Sequence, residues 1–203
     1  MMEGTKDDLL EEREPPLAEP LSRVRLREFD STIGLDRGSS KIKEAAWYLV
    51  KMWVFLSAFP YPSSFKARLL RLFGARIGER VVIKPRVNIH LPWKLEIGDD
   101  SWIGEEVFIL NFEQVTIGSN VSVSQRAFLC CGNHDYRIPS MPYRNRPITL
   151  CDGSWVGASC FVGPGVTIGV DTVVTAGSVV VSSLPENGVY GGNPPVLKVV
   201  RWK

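Results

Sequence analysis

Histidine is nearly absent from this 203-residue chain: His90 and His134 are its only two. A metal centre built from three histidines of one chain is therefore excluded. The four cysteines, Cys130, Cys131, Cys151 and Cys160, form no CxxC pair, which excludes a zinc finger. They read as small buried hydrophobes of a reducing compartment. Charge of one sign is also lacking, since the formal net charge is +2; a nucleic-acid binder would carry a stronger basic excess. The longest apolar run, Ala45 to Phe59, is 15 residues and contains Lys51, too short and too charged to span a bilayer. The opening MMEGTKDDLLEE is acidic and has no apolar core, so it is not a signal peptide. A cytoplasmic protein, or one peripheral at the inner membrane surface, is expected.

The small net charge hides a strong division. Residues 1–40 hold ten acids and six bases, residues 41–76 seven bases and one acid, and residues 77–203 eleven of each. The first segment, punctuated by Pro15, Pro16 and Pro20, reads as a flexible acidic arm. The second reads as a basic, aromatic helical hairpin. Trp47, Val50, Val54 and Phe55 recur at helical spacing until Pro60 and Pro62 stop them. A second helix from Ser64 to Phe73 is expected to turn Phe65, Leu69, Leu70 and Phe73 inward and Lys66, Arg68 and Arg71 outward, with Gly74 at its C-terminal cap. Residues 41–73 suit either an anionic membrane surface or packing against the body or a neighbouring subunit.

The third segment carries a repeat. From Ile77, aliphatic residues recur every six positions: Ile77, Ile83, Ile89; Ile97, Ile103, Ile109; Ile117, Val123, Leu129; Leu150, Val156, Val162; Ile168, Val174, Val180. Glycine follows directly at 78, 98, 104, 118, 157, 163 and 169, and a small or aliphatic residue stands four places on, as at Val81, Val107, Val121, Ala127, Cys160, Val166 and Ser178. A period of six fits neither helix nor simple strand. It fits a triangular coil of three short strands and three corners, with the aliphatic residue inward and glycine easing the turn. The sequence thus predicts an all-β parallel β-helix of about five coils over residues 77–185, preceded by the α-helical hairpin and followed by a tail, 186–203. Between Leu129 and Leu150 the register breaks. Prolines 139, 142 and 147 make residues 134–149 an excursion loop, with His134 at its root, and such loops on rigid scaffolds commonly carry function.

NIHLPWKLEIGDDSWIGEEV, VSVSQRAFLCCGNHDY and GSWVGASCFVGPGVTIG resemble the colanic acid biosynthesis acetyltransferases, a family of hexapeptide-repeat, left-handed parallel β-helix acyltransferases similar to the maltose and galactoside O-acetyltransferases. The resemblance covers about residues 44–203. The bare hexad also occurs in γ-class carbonic anhydrases, whose three-histidine zinc site this chain cannot build. The resemblance implies transfer of an acetyl group from acetyl-coenzyme A, without a metal, to a sugar or glycan hydroxyl, in a homotrimer with the donor lying between neighbouring coils. Histidine is well tuned to take the proton of an attacking hydroxyl, and His134 matches the family's catalytic histidine.

The other site expectations also come through this resemblance. Asp135 is a candidate to orient His134, and Asn111 to hold a sugar hydroxyl. Trp155 matches a tryptophan lining the pantetheine groove. The amides near Gly157 and Ala158 would face the thioester oxygen, and Ala176 and Gly177 would let the donor's arm approach the backbone. The tail departs from the family pattern. Gly192-Asn193-Pro194-Pro195-Val196 lacks the usual cation, as does Val181-Ser182, which leaves Lys198 and Arg201 as candidates for the donor's phosphates. Two alternatives stand beside sugar O-acetylation: N-acetylation of an amino sugar, and a non-catalytic trimeric scaffold. His90, at a coil corner, reads as a surface or packing residue.

Overall fold

An inward aliphatic at every sixth position requires a corner between each pair, and the chain turns one. The computed structural model describes residues 23–203. From Arg76 onward these wind as a parallel β-solenoid with three faces, the hexapeptide-repeat fold. The first face stacks strands Arg76–Ile77, Leu95–Ile97, Val115–Ile117, Ile148–Leu150 and Thr167–Ile168. The second stacks Val82–Ile83, Trp102–Ile103, Ser122–Val123, Trp155–Val156, Val173–Val174 and Gly188–Gly192. The third stacks Asn88–Ile89, Phe108–Leu110, Phe128–Cys130, Phe161–Val162 and Val179–Val180. Register is kept from coil to coil, with Ile77 beside Ile97, Ile97 beside Ile117, and Ile117 beside Leu150.

Five coils are complete. A sixth begins at Leu184, which bridges to Ile168, and continues in Gly188–Gly192. The tail expected to follow the β-helix therefore contributes a second-face strand, against which Pro195–Val200 folds back antiparallel. All fifteen hexad aliphatics are buried, together with Val81, Val107, Val121, Ala127, Cys160, Val166 and Ser178. Each buried Ile, Leu or Val side chain contributes about 1.5–3 kcal/mol relative to exposure.

The glycines directly after the hexad aliphatics do not supply the turn conformation expected of them. The left-handed positions fall two residues later, on Arg80, Asp100 and Asn120 at one corner and on Glu106 at the next, and in the later coils on Gly153, Gly165 and Gly177. Glycine is needed for close approach: a Cβ on Gly78 would stand 2.4 Å from Asp99 Oδ1, and one on Gly169 2.5 Å from Glu186 N. Non-glycine residues in the left-handed region cost roughly 1–2 kcal/mol each. Several of them pair with the equivalent residue one coil away, as in Arg80–Asp100 and Arg86–Glu106–Arg126, which offsets a part.

The hairpin closes the first coil. Helix α1 (Lys41–Val50) is capped by Ser40, whose hydroxyl accepts from the Lys43 N–H. It passes directly into a π-helical turn, Lys51–Phe55, and helix α2 follows at Ser63–Leu72. Trp47, Phe55 and Leu70 are buried, and the Trp47 indole donates to the Ile89 carbonyl at 3.1 Å. One helix face is the reverse of expectation. Lys66 points inward and is fully buried, while Phe65 is exposed. The reason is that Lys66 Nζ donates to the carbonyls of Ile83 and Lys84, at 3.2 and 2.8 Å.

The outer face of α1 and the π turn presents Ile42, Ala45, Ala46, Leu49, Met52 and Trp53, all exposed. No described helix is long and apolar enough to cross a membrane. Of the expected flexible arm, residues 1–22 lie outside the described residues. Residues 23–40 are bonded to the body: Arg25 N–H donates to the Pro139 carbonyl, the Trp93 indole to the Arg37 carbonyl, and Lys94 Nζ to that of Asp36.

Candidate active site

The corner between the third and first faces differs from the other two. From Ile89 to Ile97, and from Ile109 to Ile117, the chain takes eight residues where the hexad needs six. In the third coil the same corner opens into the excursion, which runs from Cys131 to Pro147, because Ile148 and Thr149 already belong to a first-face strand. The excursion is a narrow hairpin. His134 bridges Tyr143 antiparallel, Asp135 N–H donates to the Pro142 carbonyl, and Arg144 N–H to that of Asn133.

His134 is half-buried at the base of this hairpin. Its Nδ1 lies 2.6 Å from the Met141 carbonyl oxygen. A carbonyl can only accept, so in the neutral ring Nδ1 carries the proton and Nε2 carries the lone pair. The ring is fixed on two further sides, by Tyr143 at 4.8 Å and by Phe29 at 5.5 Å between centroids. Phe29 and Tyr143 were not legible as site residues, since neither lies in a motif and Phe29 is brought in only by the packing of residues 23–40.

Asp135 does not orient the histidine. Its carboxylate accepts from Arg137 Nε and Nη2, both at 3.1 Å, and these bonds hold its pKa below the ordinary carboxylate value. Adjacent residues on an extended strand face opposite sides, so the orienting partner is the Met141 carbonyl. Asn111 is likewise not free to hold a sugar hydroxyl. It is fully buried. Its Oδ1 accepts from Leu91 N–H at 2.8 Å, while Nδ2 donates to the carbonyls of Leu91 and Lys94 at 2.5 and 3.0 Å. The amide braces the widened corner one coil below.

No protein-family model matches the chain. Its sequence is 42% identical over 161 residues to the protein assigned as the colanic acid biosynthesis acetyltransferase WcaF of Escherichia coli (strain K12), covering 79% of this chain and 88% of that one. The chain belongs to the hexapeptide-repeat acetyltransferases. Among solved structures, galactoside acetyltransferase in complex with coenzyme A superposes with a TM-score of 0.71 at 26% identity, over 79% of this chain and 81% of that one. The hexapeptide-repeat acetyltransferase VCA0836 of Vibrio cholerae shares the fold, with a TM-score of 0.73 at 23% identity over 81% and 95% of the two chains.

As a hexapeptide-repeat acetyltransferase, the chain divides its remaining candidate residues from His134. Trp155 stands exposed on the second face, its indole donating to Ser124 Oγ at 2.8 Å. Gly157, Ala158, Ala176 and Gly177 lie where the second face turns into the third. A third-face strand separates that corner from the excursion, about 15 Å at the rise of an extended chain. The Gly157 N–H is already bonded to the Val174 carbonyl at 2.8 Å and does not face outward. The amides of Ala158 and Ala176, one coil apart, make no backbone hydrogen bond among the described residues, and a Cβ on Gly177 would meet nothing within 4 Å. Arg201 is committed to the fold, donating to the carbonyls of Gly153 and Asp171 at 2.8 and 3.0 Å. Lys198 is exposed on the returning strand. Among the described residues no three His, Cys, Asp or Glu side chains gather as metal ligands would.

Proposed function

We propose that this acetyltransferase moves the acetyl group of acetyl-coenzyme A to a hydroxyl of a sugar or glycan acceptor, with His134 as general base. The observation that carries the reading is the fixed tautomer of His134. With Nδ1–H held by the Met141 carbonyl, Nε2 takes the hydroxyl proton as the acceptor oxygen attacks the thioester carbon. The carbonyl at Nδ1 then steadies the imidazolium, which returns the proton to the departing thiolate. Charge developing on the thioester oxygen needs a fixed donor, and the amides of Ala158 and Ala176, which make no backbone hydrogen bond among the described residues, are the candidates. Ala176 and Gly177 leave space for an extended donor arm, Trp155 supplies a flat wall, and Lys198 supplies the cation for its phosphate.

The same division of residues supports a homotrimer. Neither corner alone holds both a base and donor-binding groups, so a neighbour must bring its second-to-third corner to this chain's excursion. The apolar stripe from Ile42 to Trp53, on the strongly basic segment, supports docking on an anionic membrane surface where a lipid-borne acceptor would lie.

Two measurements test the reading together. Calorimetric titration of the sized particle with coenzyme A should give saturable binding in both native protein and His134→Ala. An acceptor screen with acetyl-coenzyme A should show transfer to sugar hydroxyls that falls about 10²- to 10⁴-fold in His134→Ala. A small effect of His134→Ala with an amino-sugar acceptor would favour N-acetylation. Absence of coenzyme A binding would favour the scaffold.

A further inference from the structure

A cavity of 270 Å³ opens at the widened corner of the first coil, on the excursion side of the solenoid and lined in part by Arg37, Lys41, Lys51, His90, Tyr48 and Trp93. Its charge is unusual. Arg37 is neutralised by a bidentate pair with Glu44, with Nε 2.8 Å from both carboxylate oxygens. Lys51 is not neutralised. Only 8% of it is exposed, and its ammonium makes no hydrogen bond or ion pair among the described residues. It lies over the face of Tyr48, 5.4 Å from the ring centroid. The stem of Lys51 is buried while the residue lines the cavity, and an ammonium without a protein partner is a ready charge partner for an anion entering there. The π-helical turn places it there: Lys51 is the first residue of that turn, and its carbonyl accepts from the Leu56 N–H. Such turns are frequent at functional sites.

The cavity also has a definite place relative to the chemistry. A chain of ring contacts leads from it to the base: His90 to Phe112 at 5.0 Å, Phe112 to Tyr143 at 5.7 Å, and Tyr143 to His134 at 4.8 Å. Along the solenoid axis the cavity belongs to the first coil and His134 to the third, about 10 Å apart at 4.8 Å per coil. The donor-side residues, Trp155 to Gly177, belong to the fourth and fifth. His134 thus lies between the two, and the cavity is on the side away from the donor.

We propose that this cavity binds the oxyanion of an acidic acceptor, a uronic acid carboxylate or a sugar phosphoryl group, with Lys51 as its buried charge partner and Lys41 at its mouth. The proposal rests on the sugar-acceptor reading above. The volume fits one sugar ring or one phosphoryl group, being below the roughly 300–1,000 Å³ of sites for larger ligands. His90 supports it in a second role. Burial first, then the cations of Lys51 and Arg37, push its pKa down to about 4, so at neutral pH it offers the anion one N–H without adding a further charge.

The test is direct titration of the full chain with glucuronate, glucose 1-phosphate and glucose, in native protein, His134→Ala and Lys51→Met. Saturable binding of an acid, unchanged in His134→Ala and weakened about 10- to 100-fold in Lys51→Met, is expected for loss of a charge-assisted contact. Binding of glucuronate alone assigns a carboxylate, and of glucose 1-phosphate alone a phosphoryl group. Lys51→Met should melt no lower than native protein, because methionine keeps the buried apolar stem and removes only a charge with no protein partner, and should keep its coenzyme A affinity. Binding of neither acid by protein that binds coenzyme A would overturn the proposal. So would equal loss of glucose and glucuronate affinity in Lys51→Met. Acid binding without acetyl transfer would instead overturn the sugar-acceptor reading and leave the anion site standing.

Discussion

Replacing Asn111 by alanine separates a structural amide from a catalytic one. In the native corner, Asn111 satisfies the N–H and carbonyl of Leu91 and the carbonyl of Lys94. Leu91 and Asn111 are both buried, so water cannot readily replace the lost partners. A buried group left unsatisfied costs about 1–3 kcal/mol. The Leu91 carbonyl keeps the Lys94 N–H, so two groups lose their partner, and Asn111→Ala should destabilise by about 3 kcal/mol. For a chain of this size 1 kcal/mol moves the melting temperature by about 2–4 °C, so Tm should fall by roughly 6–12 °C. The assay is thermal unfolding at fixed protein concentration, since assembly would make Tm concentration-dependent. It is paired with kcat measured well below the lowered Tm, where the variant should stay within a few-fold of native. An unchanged Tm with kcat lower by about 100-fold or more would place the amide in the chemistry and refute this reasoning.

Other outcomes follow from the same contacts. Asp135→Asn should leave kcat/KM within about fivefold, the scale of an exposed ion pair, with an unmoved pH profile; a loss comparable to that of His134→Ala would mean that the carboxylate does orient the base. His90 has a folded pKa of about 4, depressed from 6.5. Its contribution to stability is therefore present above pH 6.5 and is lost as pH falls toward 4. The full shift corresponds to about 3 kcal/mol, reduced by its partial exposure to roughly 1–2 kcal/mol. His90→Gln should flatten the stability curve in that window, and denaturant midpoints measured from pH 7 to 4 check this. Vesicles containing anionic lipid should sediment the native protein, and Leu49→Ser with Trp53→Ser should release it. A change of oligomeric mass in that double variant, with no vesicle binding by the native protein, would make the stripe a contact between subunits.

The solenoid was legible because its code is redundant. Fifteen inward positions repeat one requirement, so the register from Ile77 to Val180 survives even the excursion at Cys131–Pro147. Single-copy features were not legible. Lys66 sits at a helix position that reads as solvent-facing, yet the carbonyls of Ile83 and Lys84 need a donor there, and a hydropathy pattern carries no information about orphan carbonyls at strand ends. Asn111 and Asp135 failed as site residues for a related reason. Residue type suggested chemistry, but the nearest hydrogen-bond partners, the Leu91 backbone and Arg137, come first energetically. The glycines were placed correctly and explained wrongly, since close approach of the next coil, not backbone handedness, excludes a Cβ at Gly78.

Lys51 illustrates what signal was available. A lysine inside the run Ala45 to Phe59 argued against a membrane span, but the same residue poses a second question: what a cation is doing on the buried side of an otherwise apolar helix. The π turn and the two extra residues at the first-coil corner answer it jointly. The turn directs Lys51 inward, and the lengthened corner supplies the space and His90. The lengthened corner is not required by the hydrophobic core, because the fourth and fifth coils close the same corner with no additional residues. Irregularities that the core does not need, gathered at the corner that also carries His134, are where selection for a substrate acts on a repeat fold.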